Sequence, residues 1–555
     1  MLRLSDQSEC FDSVEAFPPI PLTYNPTLAK SDLRKAYVLE RTLTKLCLDA
    51  SAICITESEC LSLRLRAGMT LLPDEILEII LEYAVILPFK EDSSESAHVA
   101  RVISAAISLT SVCKRFRDLG VRIPRLWNRI SNVSGLDAVS ECCERARNSN
   151  VEIIFQSIGN HRATGVAPFL EATRASSERW SRFVHERKER YSHEFRDELD
   201  DMAHRTHLLQ APLLSELAIY YPAIPVDTPQ DSNDAFHYYS SWTAPTLKIF
   251  TIYYIVPVPF SGSSTLTSFS IYLSFRAHYL RPNLSSLVEF LTVSPNLISF
   301  SLTMRSLKDV GDFLTEKSKV FGGVKNLKVV LIGCEESPLR SFFDRVLFPN
   351  VDSIELGLTS RNQNEIEGGF HTIFHDPERF LNLKTLVLDL DSPDDSNFYI
   401  NISFSAFTNI RNLTLTLHRF GICAESAIPD GPCLPSLRRL SFKDCSHLER
   451  SFVAQLLRRL KAQGNLPRLS VNNCRWFDWD EVSSEDGKSD IIRIFRGASS
   501  SSRMLNLVTA EAMLKTIEQG GAKARFKWPR GHNYSVEDWL SNISAEVQEL
   551  PDPVL

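Results

Sequence analysis

The chain has 555 residues, 43% hydrophobic and 23% charged, with 21 glycines and 28 prolines, a balance that excludes a disordered or fibrous protein. At roughly 150 residues per domain, it holds about three or four domains' worth of chain. The formal charge of −7 gives no global attraction to nucleic acid or an anionic membrane, and the twelve cysteines form no C-x-x-C pair, which disfavours structural zinc and fits a reducing compartment.

The first residues turn acidic where a secretory signal would be apolar, and the most apolar runs, 76–89 and 252–260, fall short of the ~18 residues a membrane helix needs. The expectation is a soluble chain, cytoplasmic and/or nuclear, with no membrane partner. Residues 1–30 carry Pro18, Pro19, Pro21 and Pro26 and should form an irregular arm. Ser31-Asp32 offers an N-cap to a helix over 31–67, with Leu33, Tyr37, Leu39, Leu43 and Leu46 on one apolar stripe. Its heptads are not sustained, so it should pack within the chain.

The most specific local motif is Leu71-Leu72-Pro73-Asp74-Glu75-Ile76-Leu77-Glu78-Ile79-Ile80-Leu81. Proline and acidic residues suit the start of a helix, and Ile76, Leu77, Ile80 and Leu81 form an apolar face. A second helical pattern ends in Val112-Cys113-Lys114-Arg115-Phe116, followed by Pro124-Arg125-Leu126-Trp127. These three segments in this order resemble the F-box, in the form closed by Leu-Trp that is abundant in mushroom-forming fungi. The resemblance implies a small all-α module over 68–131 that docks a Skp-type adaptor and, through it, a cullin. It implies Leu72, Pro73, Ile76, Leu77 and Ile80 as the first contact helix, and Val112, Cys113, Phe116, Leu126 and Trp127 as later contact and core positions. The span from Pro73 to Val112 is longer than in the usual F-box, with the excess around residues 90–100, where a surface loop absorbs an insertion at small entropic cost. The bland alternative is a helical pair with a buried tryptophan.

Residues 132–210 read as a helical, charge-rich linker or cap. Glu141 to Arg147 is helix-like, and Val151-Glu152-Ile153-Ile154-Phe155 suits a first, atypical strand. The stretch 171–207 is dense in charge of both signs and reads as a solvated helix with i,i+4 ion pairs. His204 and His207 stand at i, i+3 with no third ligand placed by the sequence.

From 211 to 474 a repeat emerges. Apolar residues at i, i+3 and i+5 recur at Leu214-Leu217-Ile219, Leu247-Phe250-Ile252, Leu266-Phe269-Ile271, Leu297-Phe300-Leu302, Leu327-Val330-Ile332, Val351-Ile354-Leu356, Leu383-Leu386-Leu388, Ile410-Leu413-Leu415, Leu437-Leu440-Phe442 and Leu466-Leu469-Val471, about 28 residues apart. At this hydrophobic content such trios also arise by chance. The punctuation is stronger: all copies but the Leu266 one have Pro at i−2 or Asn at i−1, as in Pro295-Asn296, Asn326, Pro349-Asn350, Asn382 and Asn409. Helix-like stretches, 286–293, 339–347 and 452–460, lie between copies. The pattern resembles an irregular leucine-rich-repeat array. The fold expected is therefore an α/β solenoid with parallel strands on its concave face, preceded by the all-α F-box module.

In such a solenoid the residues at i+2, i+4 and i+6 face outward on the concave side. At i+4 this places Ala218, Thr251, Ser270, Ser301, Leu331, Glu355, Val387, Thr414, Ser441 and Ser470. Tyr220, Tyr253 and Tyr272 follow one another at i+6, and Arg439, Lys443 and Arg468 gather at the far end. These six are candidates for binding a target protein, although tyrosine is also simply strand-favouring and basic residues often form a solvated rim. Asp389, Asp391, Asp394 and Asp395 read as a polar loop. Residues 475–555 read as a cap and tail, with Trp476, Phe477 and Trp479 suited to covering the last repeat. No G-x-S-x-G, H-E-x-x-H or G-x-G-x-x-G occurs, so no catalytic, cofactor or metal residue is assigned. The expectation is a substrate-recognition subunit of an SCF-type ubiquitin ligase without chemistry of its own, binding a Skp adaptor and an unidentified target but no nucleic acid. The alternative is a binding scaffold without ubiquitin transfer.

Overall fold

The computed structural model describes residues 72–86, 95–157, 165–187, 193–222, 233–276, 282–308, 318–392, 398–404, 407–418, 420–422, 433–445, 450–464, 467–472, 474 and 508–509. The arm 1–30, the helix 31–67, Leu71, Leu466, Asp394, Asp395 and the aromatic residues after Cys474 lie outside these. The chain divides into two units, one ending at Leu81 and the other starting at Glu82, within the helix Asp74–Ile86.

In the second unit, alternation of buried and outward residues builds one sheet. Its strands are β1 (Arg129–Ser131), β2 (Val151–Ser157), β3 (Trp180–Arg187), β4 (Glu216–Tyr220), β5 (Ile249–Tyr253), β6 (Ser268–Ser274) and β7 (Ser299–Arg305). After the short β8 (Lys319–Val320) come β9 (Asn326–Ile332), β10 (Val346–Leu347), β11 (Ser353–Thr359), β12 (Thr385–Asp391), β13 (Phe398–Ile400), β14 (Asn412–Leu417), β15 (Phe420–Ile422), β16 (Arg439–Lys443), β17 (Arg468–Asn472) and β18 (Val508–Thr509). The main sheet runs β1-β2-β3-β4-β5-β6-β7-β9-β11-β12-β14-β16-β17-β18; thirteen strands are parallel and only β18 is antiparallel to its neighbour. β8 with β10, and β13 with β15, form separate two-stranded pairs. Parallel strands need long crossovers. Helices Leu284–Thr292, Glu336–Phe343, Gln363–Phe374 and Arg450–Ala462 fill several of them. This is an α/β architecture compatible with a solenoid.

Burial fixes the register, because a slip of one residue would turn each apolar set to solvent. Phe250, Phe269 and Phe300 sit opposite one another in β5, β6 and β7, all buried, with Phe269 and Phe300 stacked at 5.8 Å. The Leu327 copy differs from the sequence reading. Phe300 pairs with Leu327 and Leu302 with Val329, so this copy is Val324-Leu327-Val329, three residues earlier. Val324, Leu327 and Val329 are buried while Val330 and Ile332 are partly exposed. The outward i+4 residue is therefore Lys328, not Leu331. Several apolar residues in succession hid the alternation, and Asn326 imitated a turn. Gly323 makes the turn instead: a Cβ there would lie 2.9 Å from the carbonyl oxygens of Pro295 and Leu297.

The turn asparagines have a further role. Each donates its Nδ2 to a carbonyl of the preceding copy: Asn296 to Ser264 at 2.8 Å, Asn350 to Gly322 at 2.9 Å, Asn382 to Pro349 at 3.3 Å and Asn409 to Leu381 at 2.8 Å. Thr246 reaches Pro212 in the same way at 2.7 Å. The asparagines thus tie successive turns together as well as bending the chain. Asn350→Ala with Asn382→Ala should cost about 1–2 kcal/mol in urea unfolding, whereas Asn326→Ala on the exposed row should cost under about 0.5 kcal/mol. Equal losses would show that the ladder contributes nothing.

The charge-rich segment also departs from the sequence reading. Helices Val166–Arg174 and His193–Arg205 flank β3, which occupies the middle of the stretch expected to be helical. Trp180, Phe183 and His185 are fully buried, and Trp180 and Phe183 pack with Trp242 at 6.2 and 5.1 Å. Charged residues on β1, β2 and β3 meet partners from neighbouring strands and from the helix that starts at Glu95. Arg129 meets Glu152 at 3.1 Å, and Arg182 meets Glu216 at 2.8 Å and both carboxylate oxygens of Glu95. The i,i+4 pairing expected on the following helix is present, Arg205 to Asp201 at 2.7 Å. Among the described residues no helix is long and apolar enough to cross a membrane.

Candidate functional site

The helix Asp74–Ile86 begins as its sequence dictates, with the Ile76 and Leu77 amides donating to the Pro73 carbonyl and Asp74 and Glu75 in the first turn. Leu77, Leu81 and Val85, at i, i+4 and i+8, are buried. Ile76, Ile79 and Ile80 are 43%, 51% and 41% exposed, and Tyr83, one turn on, is 59% exposed. A helix that buries one apolar stripe and leaves a second in solvent carries a surface suited to a partner. The sequence reading named Ile76 and Ile80 but missed Ile79 and Tyr83, which the i, i+3, i+4, i+7 spacing would have found. Pro73 is exposed and Leu72 partly so.

In the second unit the remaining residues of this group split into two kinds. Val112 is 64% exposed, and the exposed Cys113 caps the helix Lys114–Arg122, its Sγ accepting from the Phe116 amide at 3.5 Å. Phe116, Leu126 and Trp127 are buried. Trp127 donates Nε1–H to the Gly120 carbonyl at 2.8 Å and lies 4.2 Å beneath the Arg145 guanidinium. Those three shape the support, and only Val112 and Cys113 reach the surface.

The outward face of the sheet holds the second candidate group. Tyr253 and Tyr272 are opposite in register and stack at 5.3 Å with 7° between their planes. Tyr220 meets Tyr253 edge-on at 5.0 Å, and Tyr254 meets Tyr272 at 5.1 Å. All four are partly exposed, and burial raises the phenol pKa of Tyr220 and Tyr253. The corrected i+4 row runs Ala218, Thr251, Ser270, Ser301, Lys328, Glu355, Val387, Thr414, Ser441 and Ser470 in unbroken register. Lys328 and Glu355 form an ion pair at its centre. Asp389 and Asp391, read from sequence as a loop, lie in β12, where buried Leu386, Leu388 and Leu390 turn the residues between them outward. Partial burial raises the carboxyl pKa of Asp389, and His418 stands 3.5 Å away. At the far end Arg439 lies opposite Arg468, with Lys443 four residues along the strand from Arg439. The structure thus gathers the three tyrosines into one ladder and places the basic residues on neighbouring strands.

A Ser–His pair also lies in the second unit. Ser157 Oγ is 2.7 Å from His185 Nε2, and His185 Nδ1 is 3.1 Å from the Tyr238 hydroxyl. Ser157 is 2% exposed and His185 0%, so no substrate reaches the hydroxyl. The pair is part of the core. Among the described residues no group of three His, Cys, Asp or Glu is placed to hold a metal. No family model matches the sequence, and no curated protein matches it.

Proposed function

We propose that the chain is the substrate-recognition subunit of an SCF-type ubiquitin ligase, cytoplasmic or nuclear, with an F-box at 68–131 and an irregular leucine-rich-repeat array whose concave face holds the target. The observation that carries this reading is the second apolar stripe on the helix Asp74–Ile86, left in solvent immediately after Leu72-Pro73-Asp74-Glu75. A Skp adaptor would cover Ile76, Ile79 and Ile80, and a cullin would follow. The continuous parallel register and its outward row, small at seven of ten positions, support the array, and the tyrosine ladder supplies rigid aromatic area for a target. Catalysis would be positional, through a raised effective concentration of the target near the charged ubiquitin.

Ile76→Asp/Ile80→Asp alters exposed positions and should leave the fold intact while abolishing co-purification of adaptor and cullin. Equal capture by wild type and variant, or by neither, removes the F-box reading. Capture of adaptor without cullin leaves a binding scaffold. Tyr253→Ser/Tyr272→Ser should weaken target capture and leave the adaptor bound.

A further inference from the structure

At the strand starts of the C-terminal half, one residue per strand is linked to the next through the backbone. Asp352 N–H donates to the Lys325 carbonyl, Lys384 to Asp352, Arg411 to Lys384, Arg438 to Arg411 and Arg468 to Arg438, at 2.7–2.9 Å. One position on, Arg439 stands directly opposite Arg468. The single acid of the row, Asp352, is held by Lys384 at 2.7 Å. Arg411, Arg438, Arg439 and Arg468 are exposed, and none has a carboxylate partner among the described residues. Four arginines at the starts of three adjacent strands, whose backbones run about 4.8 Å apart, concentrate like charge at one place on the sheet. Register does not require them, because the buried Leu413, Leu415, Leu440, Phe442 and Leu469 already fix it.

We propose that this arginine edge is a docking surface for a short Asp/Glu-rich segment of a partner protein. The argument is charge complementarity: an arginine fork donates two parallel N–H bonds to the two oxygens of one carboxylate, and Thr414, Ser441 and Ser470 beside them are small enough to admit a peptide backbone. A longer polyanion is disfavoured. Glu355, Asp389 and Asp391 occupy the middle strands of the same face and would repel nucleic acid tracking along the sheet. The ligand is therefore acidic over a few residues and uncharged beyond. The proposal goes beyond the adaptor reading and does not rest on it.

The test uses the full chain and a fluorescein-labelled peptide of about ten alternating Glu and Ser residues, long enough at about 3.3 Å per residue to cross the three strands. Anisotropy should show saturable binding that weakens about tenfold or more in Arg439→Glu/Arg468→Glu, and comparably between about 0.05 and 0.3 M salt. Arg439→Lys/Arg468→Lys keeps the charge and should lose only a few-fold. Both variants should melt like wild type, since the positions are exposed. Equal binding by wild type and the charge reversal overturns the proposal, as does equal binding of a peptide with Gln in place of Glu. Tighter binding of single-stranded DNA of matched charge also overturns it and assigns the edge to nucleic acid. Peptide binding together with failed adaptor capture upholds it while removing the F-box reading.

Discussion

Phe269→Ala is expected to destabilise the sheet by about 3–5 kcal/mol and to loosen β5, β6 and β7 before the strands on either side. Phe269 is fully buried in the i+3 column, 5.7 Å from Phe250, 5.8 Å from Phe300 and 4.9 Å from Phe290 on the crossover helix Leu284–Thr292. Truncation removes contacts to two strands and the helix at once, and the stacked neighbours cannot all move into the void. Each parallel strand bonds only to its two neighbours, so the loss should appear first as faster amide hydrogen exchange in β5–β7 and then as a lower urea midpoint. Phe269→Leu keeps most of the volume and should cost under about 1.5 kcal/mol. If alanine costs no more than leucine, the aromatic column does not hold these strands together.

The same column explains why the sheet could be read from the sequence while parts of its surface could not. Where an outward Ser or Thr separates the apolar residues, as in Ser268-Phe269-Ser270-Ile271, period two is unambiguous and the register is right. In Leu327-Lys328-Val329-Val330-Leu331-Ile332 four apolar residues follow one another, and only pairing with β7 decides which of them point inward. β3 was hidden for the opposite reason. Trp180-Ser181-Arg182-Phe183-Val184-His185-Glu186-Arg187 carries charges that look solvated until Glu95, Glu152 and Glu216 arrive from other parts of the chain to meet Arg182. Long-range partners of that kind leave no local signal. The candidate site divides along the same line. The tyrosine ladder follows from periodicity, whereas the arginine edge extends to Arg411 and Arg438 only once neighbouring strand starts are seen to be linked.

Acid should destabilise the protein through His185, a group the proposed function does not use. Burial, and secondarily the charge of Arg187, holds the imidazole pKa down at about 3, against 6.5 for a free histidine. Ser157 and Tyr238 bond its two nitrogens, and Phe155, Phe195 and Tyr221 close the ring in at 5.3–6.3 Å. Between pH 6.5 and about 3 the unfolded chain therefore binds a proton that the folded chain refuses. Stability is unaffected by this group above pH 6.5 and falls as the pH drops through that window. The slope approaches 1.4 kcal/mol per pH unit, or about 3 kcal/mol by pH 4. Glu152 acts in the opposite sense, because burial raises its pKa and favours the protonated folded form. That contribution is common to wild type and His185→Gln, so it cancels when their stabilities are compared across pH. The glutamine variant should be less stable at pH 7, where it loses the ring packing, yet lose less on acidification, so that the two urea-midpoint curves converge toward pH 4. Parallel curves would mean that His185 titrates alike in both states, and an imidazole protonating near pH 6 in the folded protein would place water where the structure has the Ser157 and Tyr238 hydroxyls and closely packed aromatic rings.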